Sequence, residues 1–213
     1  MIKVEEISFS YQDKLIFDRF SMYIDQGERI CLMAPSGRGK TTLLRLLTGH
    51  LQPDTGRISG MENVNISMVF QEDRLCENYT VCENIMLGCV RGMMPETAHN
   101  IGDDCFSQKR KHGDMSQRKT IVDGHLSAVG LAQTIDMPVS SLSGGMKRRV
   151  CLVRAMLSRS DIVILDEPFA GVDRKKTEQA IDYISQKMQE RSLILVSHTA
   201  WEAEMLGARI IHL

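Results

Sequence analysis

Two rhythms of apolar residues run through this chain, short continuous stretches and stripes at helical spacing, separated by clusters of glycine and polar residues. Ile7, Phe9 and Tyr11 alternate with polar neighbours, the period of a half-buried strand, and Asp13-Lys14 forms a turn before a second strand. After the turn Gln26-Gly27-Glu28, RICLM is an apolar run of the buried-strand kind, and APSGRGK follows as a glycine-rich loop. Leu43, Leu44 and Leu47 then share one helical face, with the helix expected to end near Thr48-Gly49. Pro53 to Gly60 reads as turn-rich, and Ile66 to Phe70 as a short strand leading to Gln71.

From about 75 to 137 the character changes. Helical patches are expected at Val81 to Leu87 and Ile121 to Leu131, with a polar stretch around 99–117 between them that reads as an exposed insertion. Beyond Leu142, Val150, Val153 and Leu157 line a helix face, DIVILD is a strand ending in acid, and a helix runs from Asp173 to Glu190. SLILVSH and ARIIHL predict two more strands. Apolar runs alternating with amphipathic helices indicate parallel strands covered on both faces, hence an α/β fold.

Composition narrows this picture only a little. With 213 residues and a net charge of −1, the chain fits one α/β domain and shows no excess of positive charge for coating nucleic acid. The basic clusters Lys109-Arg110-Lys111 and Arg174-Lys175-Lys176 read as solvated faces. Six cysteines are scattered without CxxC pairs, which favours reduced thiols, and the cysteine-containing loop between His99 and His112 reads as surface without a metal. Neither a signal peptide nor an apolar segment of roughly 18 residues is seen, so any membrane part is expected on another chain. Trp201 and the methionines read as packing.

The chemistry-bearing residues collect where strands end. APSGRGKT has the spacing of a phosphate-binding loop from Gly37 onward, with Ala34 in place of the first glycine. Lys40 would reach the β- and γ-phosphates of a nucleoside triphosphate, and the Thr41 hydroxyl would ligate Mg2+. Asp166 and Glu167 close a buried strand, where Asp166 would hold Mg2+ and Glu167 would orient and deprotonate an attacking water. His198 ends another strand and could touch the γ-phosphate, while Gln71, which follows a strand, could reach the Mg2+ or the lytic water. A second anion-ready feature is LSGGM, with Ser143, Gly144 and Gly145 at the start of a basic helix.

In this order the set resembles the nucleotide-binding subunit of ATP-binding cassette (ABC) transporters, over essentially the whole chain. The resemblance assigns adenine stacking to Tyr11 and the Walker A loop to Ala34, Pro35, Ser36, Gly37, Arg38, Gly39, Lys40, Thr41 and Thr42. It makes Gln71 the Q-loop residue, LSGGM the signature, VILDE the Walker B strand, Asp173 the D-loop aspartate and His198 the switch histidine. It implies a P-loop ATPase with a mainly parallel core sheet, a small antiparallel β-subdomain and a helical signature subdomain at about 75–157, all in a single domain spanning 1–213. It also implies ATP and Mg2+ as ligands, and a two-fold head-to-tail dimer in which Ser143, Gly144 and Gly145 meet the γ-phosphate held by the partner. Met146 for glutamine in the signature and the D-loop AGVD depart from the common pattern.

A lone cassette resembles an importer subunit at the cytoplasmic face of the membrane, working with separate permease subunits and, in the wider complex, a substrate-binding protein. Within importers, VFQEDRL, LSGGM with its basic run, and DEPF resemble the nitrate, sulfonate and taurine group, which implies a small anionic solute. The alternatives are an exporter ATPase, a soluble ABC ATPase acting on nucleic acid or ribosomes, and a degenerate cassette with little turnover. The segment Glu72 to Asn84 is expected to face the permease, so charge reversal at Asp73 or Arg74 would impair transport and spare hydrolysis.

Overall fold

The computed structural model describes residues 1–12, 14–35, 37–91 and 114–213. Its strands are β1 (Ile2–Tyr11), β2 (Lys14–Ile24), β3 (Arg29–Met33), β4 (Thr55–Ser59), β5 (Ile66–Val69), β6 (Ile162–Asp166), β7 (Ser192–Val196) and β8 (Arg209–His212). Its helices are α1 (Lys40–Leu47), α2 (Val81–Arg91), α3 (Asp114–Ala128), α4 (Gly144–Leu157), α5 (Arg174–Met188) and α6 (Ala200–Met205). The chain divides into two compact units. One holds Met1–Ile66, Asp161–Glu167 and Gln189–Leu213; the other holds Ser67–Ser160 and Pro168–Met188.

In the first unit, β6, β7, β3 and β8 lie side by side in that order, and their pairings are parallel, with Leu165 opposite Leu195, and Cys31 opposite both Leu195 and Ile210. Every residue of β6 and β7 is buried, as a parallel strand covered on both faces requires. A separate antiparallel sheet has the order β2-β1-β4. Its central strand carries a slip in phase: Ile2 and Val4 are buried, and then Ile7 and Phe9. The register shifts between Val4 and Ile7, and Glu6 sits there at φ 46°, so an irregularity of the bulge kind returns the apolar side chains to one face. β4, which the turn-rich stretch Pro53 to Gly60 concealed, pairs with this bulged region. Gly56 (φ +80°) permits the approach, since a Cβ there would fall on the Glu5 and Glu6 carbonyls.

The second unit is helical. It buries Val81 and Ile85 of α2, Val122 and Leu126 of α3, Val150 and Val153 of α4, and Ile181 and Ile184 of α5 around a common apolar interior. α3 starts at Asp114, so the end of the polar stretch 99–117 is helical, and it stops at Ala128, before the expected Leu131, where Gly130 (φ +69°) turns the chain. The rest of that stretch, with His99, Cys105, Lys109-Arg110-Lys111 and His112, lies outside the described residues. Among the described residues, no helix is long and apolar enough to cross a membrane.

One buried group makes this unit acid-sensitive. His125 of α3 is 8% exposed and its Nδ1 lies 3.2 Å from the Tyr183 hydroxyl. Burial, with Lys187 adding repulsion, pushes its pKa down from 6.5 to about 4. The unfolded chain therefore binds a proton that the folded chain refuses between these values. The stability contributed by keeping His125 neutral is complete above pH 6.5 and is lost as the pH falls toward 4, about 2 kcal/mol of it between pH 7 and pH 5. Urea unfolding at pH 7 and pH 5 measures it: the drop should shrink by about that amount in His125→Gln, and an equal drop in both proteins would remove His125 as its source.

Candidate functional site

The loop between β3 and α1 is shaped by two glycines. Gly37 and Gly39 have φ of +79° and +94°, a region that costs other L-residues strain. At Gly39 space is also lacking, since a Cβ would lie 2.7 Å from Ile16 and 2.9 Å from Phe17 of β2. Ala34 is not among the positive-φ residues, so alanine carries no backbone penalty where the common motif has glycine. α1 opens at Lys40 with no side-chain cap and no acidic residue in its first turn, leaving its positive end available to an anion. Leu43, Leu44 and Leu47 are buried and hold that end in place. Pro35 and Arg38 line the loop, with the Arg38 amide donating to the Pro35 carbonyl at 3.4 Å; Ser36 lies outside the described residues. Thr41 is exposed beside Lys40, and Thr42 is buried.

Three predicted residues meet at the base of this loop. The Lys40 ammonium, on a residue only 7% exposed, donates to the Ala34 carbonyl at 2.7 Å and lies 3.3 Å from Nε2 of His198. The same Nε2 is 2.8 Å from Oε1 of Glu167. A carboxylate only accepts, so Nε2 carries its proton toward Glu167 and Lys40 spends its hydrogen bond on Ala34. Asp166 precedes Glu167 at the end of β6 and is 5% exposed. Glu167 itself has φ 49°, a strained setting that turns its side chain off the strand line, and its amide donates to the Val196 carbonyl at 3.1 Å.

His198 is not the last residue of its strand, as the sequence suggested. β7 stops at Val196, and Ser197 takes over the geometry of the turn. The Ser197 hydroxyl donates to the Glu202 carboxylate and accepts from the Thr199 amide at 2.9 Å, so the loop that carries His198 is tied to α6. Burial holds the Glu202 carboxyl above its ordinary range. Sequence reasoning missed Glu202, although an acid four residues after a strand-end histidine was a usable signal. Tyr11 ends β1 with an exposed ring packed edge-on against Phe9, centroids 4.9 Å apart.

The second unit carries the other predicted residues. Ser143 is the N-cap of α4, its hydroxyl accepting from the Met146 amide at a long 3.4 Å, and both Ser143 and Gly144 are exposed. A Cβ on Gly144 would meet nothing within 4 Å, whereas one on Gly145 would meet the Gly171 carbonyl at 3.5 Å, which places AGVD beside the serine-glycine turn. Asp173 accepts from the Lys176 amide at 3.1 Å ahead of α5, and its hydrogen bond with the Lys176 side chain holds its carboxyl below the usual range. Gln71 is exposed just past β5.

These features agree with the comparisons to known proteins. The family model described as "ABC transporter" matches residues 17–170. A thiamine import ATP-binding protein of Shigella boydii is 30% identical over 99% of this chain and 87% of its own length. The dimeric bacterial ABC transporter cassette MJ0796 superposes with a TM-score of 0.77 at 22% identity, covering 100% of this chain and 94% of that one. The structure of cbiO1 of Clostridium perfringens, described as part of the ABC transporter complex cbiONQ, gives a TM-score of 0.70 at 25% identity over 93% of this chain and 78% of that one.

Proposed function

Because the chain belongs to the ABC transporter family and is an ATPase of that family, we propose that it is the cassette that powers a membrane importer, hydrolysing ATP at the Lys40 loop. The observation that carries this reading is the convergence of Lys40, His198 and Glu167 below the glycine loop, at the end of the strand that also presents Asp166. Glu167 is the general base for the attacking water. Lys40 and His198 leave their present partners to meet the β- and γ-phosphates, with Tyr11 against the adenine and Ala34 to Thr42 enclosing the phosphates. Releasing His198 to phosphate frees the Glu167 carboxylate for water, so substrate binding itself makes the base available.

The Thr41 hydroxyl and the Asp166 carboxylate are hard oxygen donors suited to Mg2+, with Gln71 as a third ligand. When bound, the ion would neutralise charge on the β- and γ-phosphates. EDTA is expected to reduce phosphate release to background; turnover that persists in the chelator would contradict a Mg2+ role.

Two copies of this chain, or this chain and a close relative, close head to tail on ATP. The exposed Ser143 and Gly144 of one copy, with the half-buried Gly145, face the γ-phosphate on the other, with Asp173 at the same interface. The first turn of α4 contains no acidic residue to repel it. Met146 leaves this contact intact, since its amide already caps back to Ser143. A phosphate bound by both copies stabilises the closed dimer, and its hydrolysis releases it.

We place this single cassette, with its helical subdomain at about 75–157, at the cytoplasmic face of a membrane through separate permease subunits, with a substrate-binding protein in the wider complex. The relative named for thiamine import favours an importer over an exporter or a nucleic-acid ATPase. The narrower likeness to nitrate, sulfonate and taurine ATPases has no support in these relatives. Co-purification with a polytopic membrane protein, together with Mg2+-dependent phosphate release, tests the reading; co-purification with ribosomes or DNA instead would overturn it.

A further inference from the structure

We propose that Arg148 is a positioning residue for ATP hydrolysis: it grips the backbone at Gln71 and makes Gln71 and the serine-glycine turn of α4 one rigid piece. The proposal rests on the reading above, in which both features meet nucleotide. Its basis is a row of unusual contacts within the second unit. The segment after β5 is irregular, so its carbonyls lack ladder partners and must find donors elsewhere. They find them on one stripe of α4. Arg148 Nη1 donates to the Phe70 carbonyl at 2.9 Å and to the Gln71 carbonyl at 2.6 Å. The Cys151 thiol donates to the Asp73 carbonyl at 2.8 Å, and Arg154 Nη1 to the Arg74 carbonyl at 3.0 Å.

Positions 148, 151 and 154 recur every three residues and so stay on neighbouring turns of one face. Burial pushes the Cys151 thiol up to about 12, so it remains protonated and a donor. Room for Arg154 comes from Gly88 of α2, where a Cβ would lie 2.6 Å from Arg154 Cγ. The grip is reinforced at either end, by Ser67 donating to the Ala155 carbonyl at 3.0 Å and by Lys147 paired with Glu77 at 2.6 Å. Of the basic run after LSGGM, Lys147 and Arg148 are therefore occupied in holding the segment that follows β5, whereas Arg149 donates to the Val129 and Gly130 carbonyls.

Ser143 lies five positions before Arg148, at the cap of the same helix. Two successive carbonyls, those of Phe70 and Gln71, held by one guanidinium nitrogen fix the peptide planes flanking Gln71, and with them the direction of its side chain. Any movement of α4 that carries Ser143 must then carry Gln71 with it. Asp73 belongs to the same grip, its carboxylate 3.5 Å from Arg148 Nε. Its charge reversal should therefore lower hydrolysis as well as transport, which revises the expectation drawn from the sequence.

The test combines Arg148→Gln, Arg148→Lys and Gln71→Ala in the full chain. Arg148→Gln should lower kcat about tenfold with KM for ATP unchanged, as loss of a charged donor to two carbonyls implies. Arg148→Lys should restore part of the loss. In a Gln71→Ala background, Arg148→Gln should change kcat by less than about twofold, because the group it positions is gone. Trypsin should also cut after Arg74 faster in Arg148→Gln than in the parent. An equal fall of kcat in both backgrounds, or an unchanged rate of cleavage at Arg74, would overturn the proposal. A parent protein that releases no phosphate from ATP would instead overturn the reading on which it rests.

Discussion

Glu167→Gln is expected to lower kcat for ATP hydrolysis by roughly 10²–10⁴-fold while ATP still binds, the range for loss of a positioned general base. Glutamine keeps the shape and can still accept from His198 Nε2, which now lies 2.8 Å from Oε1. What it lacks is basicity toward water. The strained backbone at this position, φ 49°, is unaffected by the change, so folding should be preserved. Single-turnover phosphate release beside a nucleotide titration separates the steps. A kcat within a few fold of the parent would give the base role to another group.

Lys40→Ala should act on binding as well as rate. The ammonium is almost buried, 7% exposed, and its partners in the absence of nucleotide are the Ala34 carbonyl and the edge of His198. With a triphosphate those partners are exchanged for phosphate oxygens, a charge-assisted contact of about 1.5–3 kcal/mol, so ATP affinity should fall roughly ten- to a hundredfold and turnover further still. Removing a cation from above the helix end leaves the apolar anchors of α1 in place, and thermal melting should shift little. Calorimetric titration with ATP checks this; parent-like affinity would mean that the loop does not hold phosphate.

Much of this site could be read from the sequence because it is local. A glycine loop between a buried strand and a helix, and two acids after four apolar residues, are set by neighbours within a few positions. The parts that stayed hidden depend on distant packing or on backbone angles. β4 is a strand because Gly56 can approach the bulge at Glu6, fifty residues away. Ala34 is harmless because its φ is ordinary, which composition does not reveal. In the sequence Arg148 is one of three consecutive basic residues, and only the fold brings it to carbonyls 77 and 78 positions earlier. The solute left no trace because the residues proposed to act are ones that would address nucleotide.

The proposed function has ATP join two of these chains across Ser143 and the Lys40 loop. Its most direct measurement is the solution mass of Glu167→Gln by light scattering, with and without Mg2+-ATP, beside the same protein carrying Ser143→Arg. A doubling of mass on adding nucleotide, abolished by the arginine, is the predicted result. A mass that stays that of one chain at saturating ATP, or a doubling indifferent to Ser143→Arg, would contradict it.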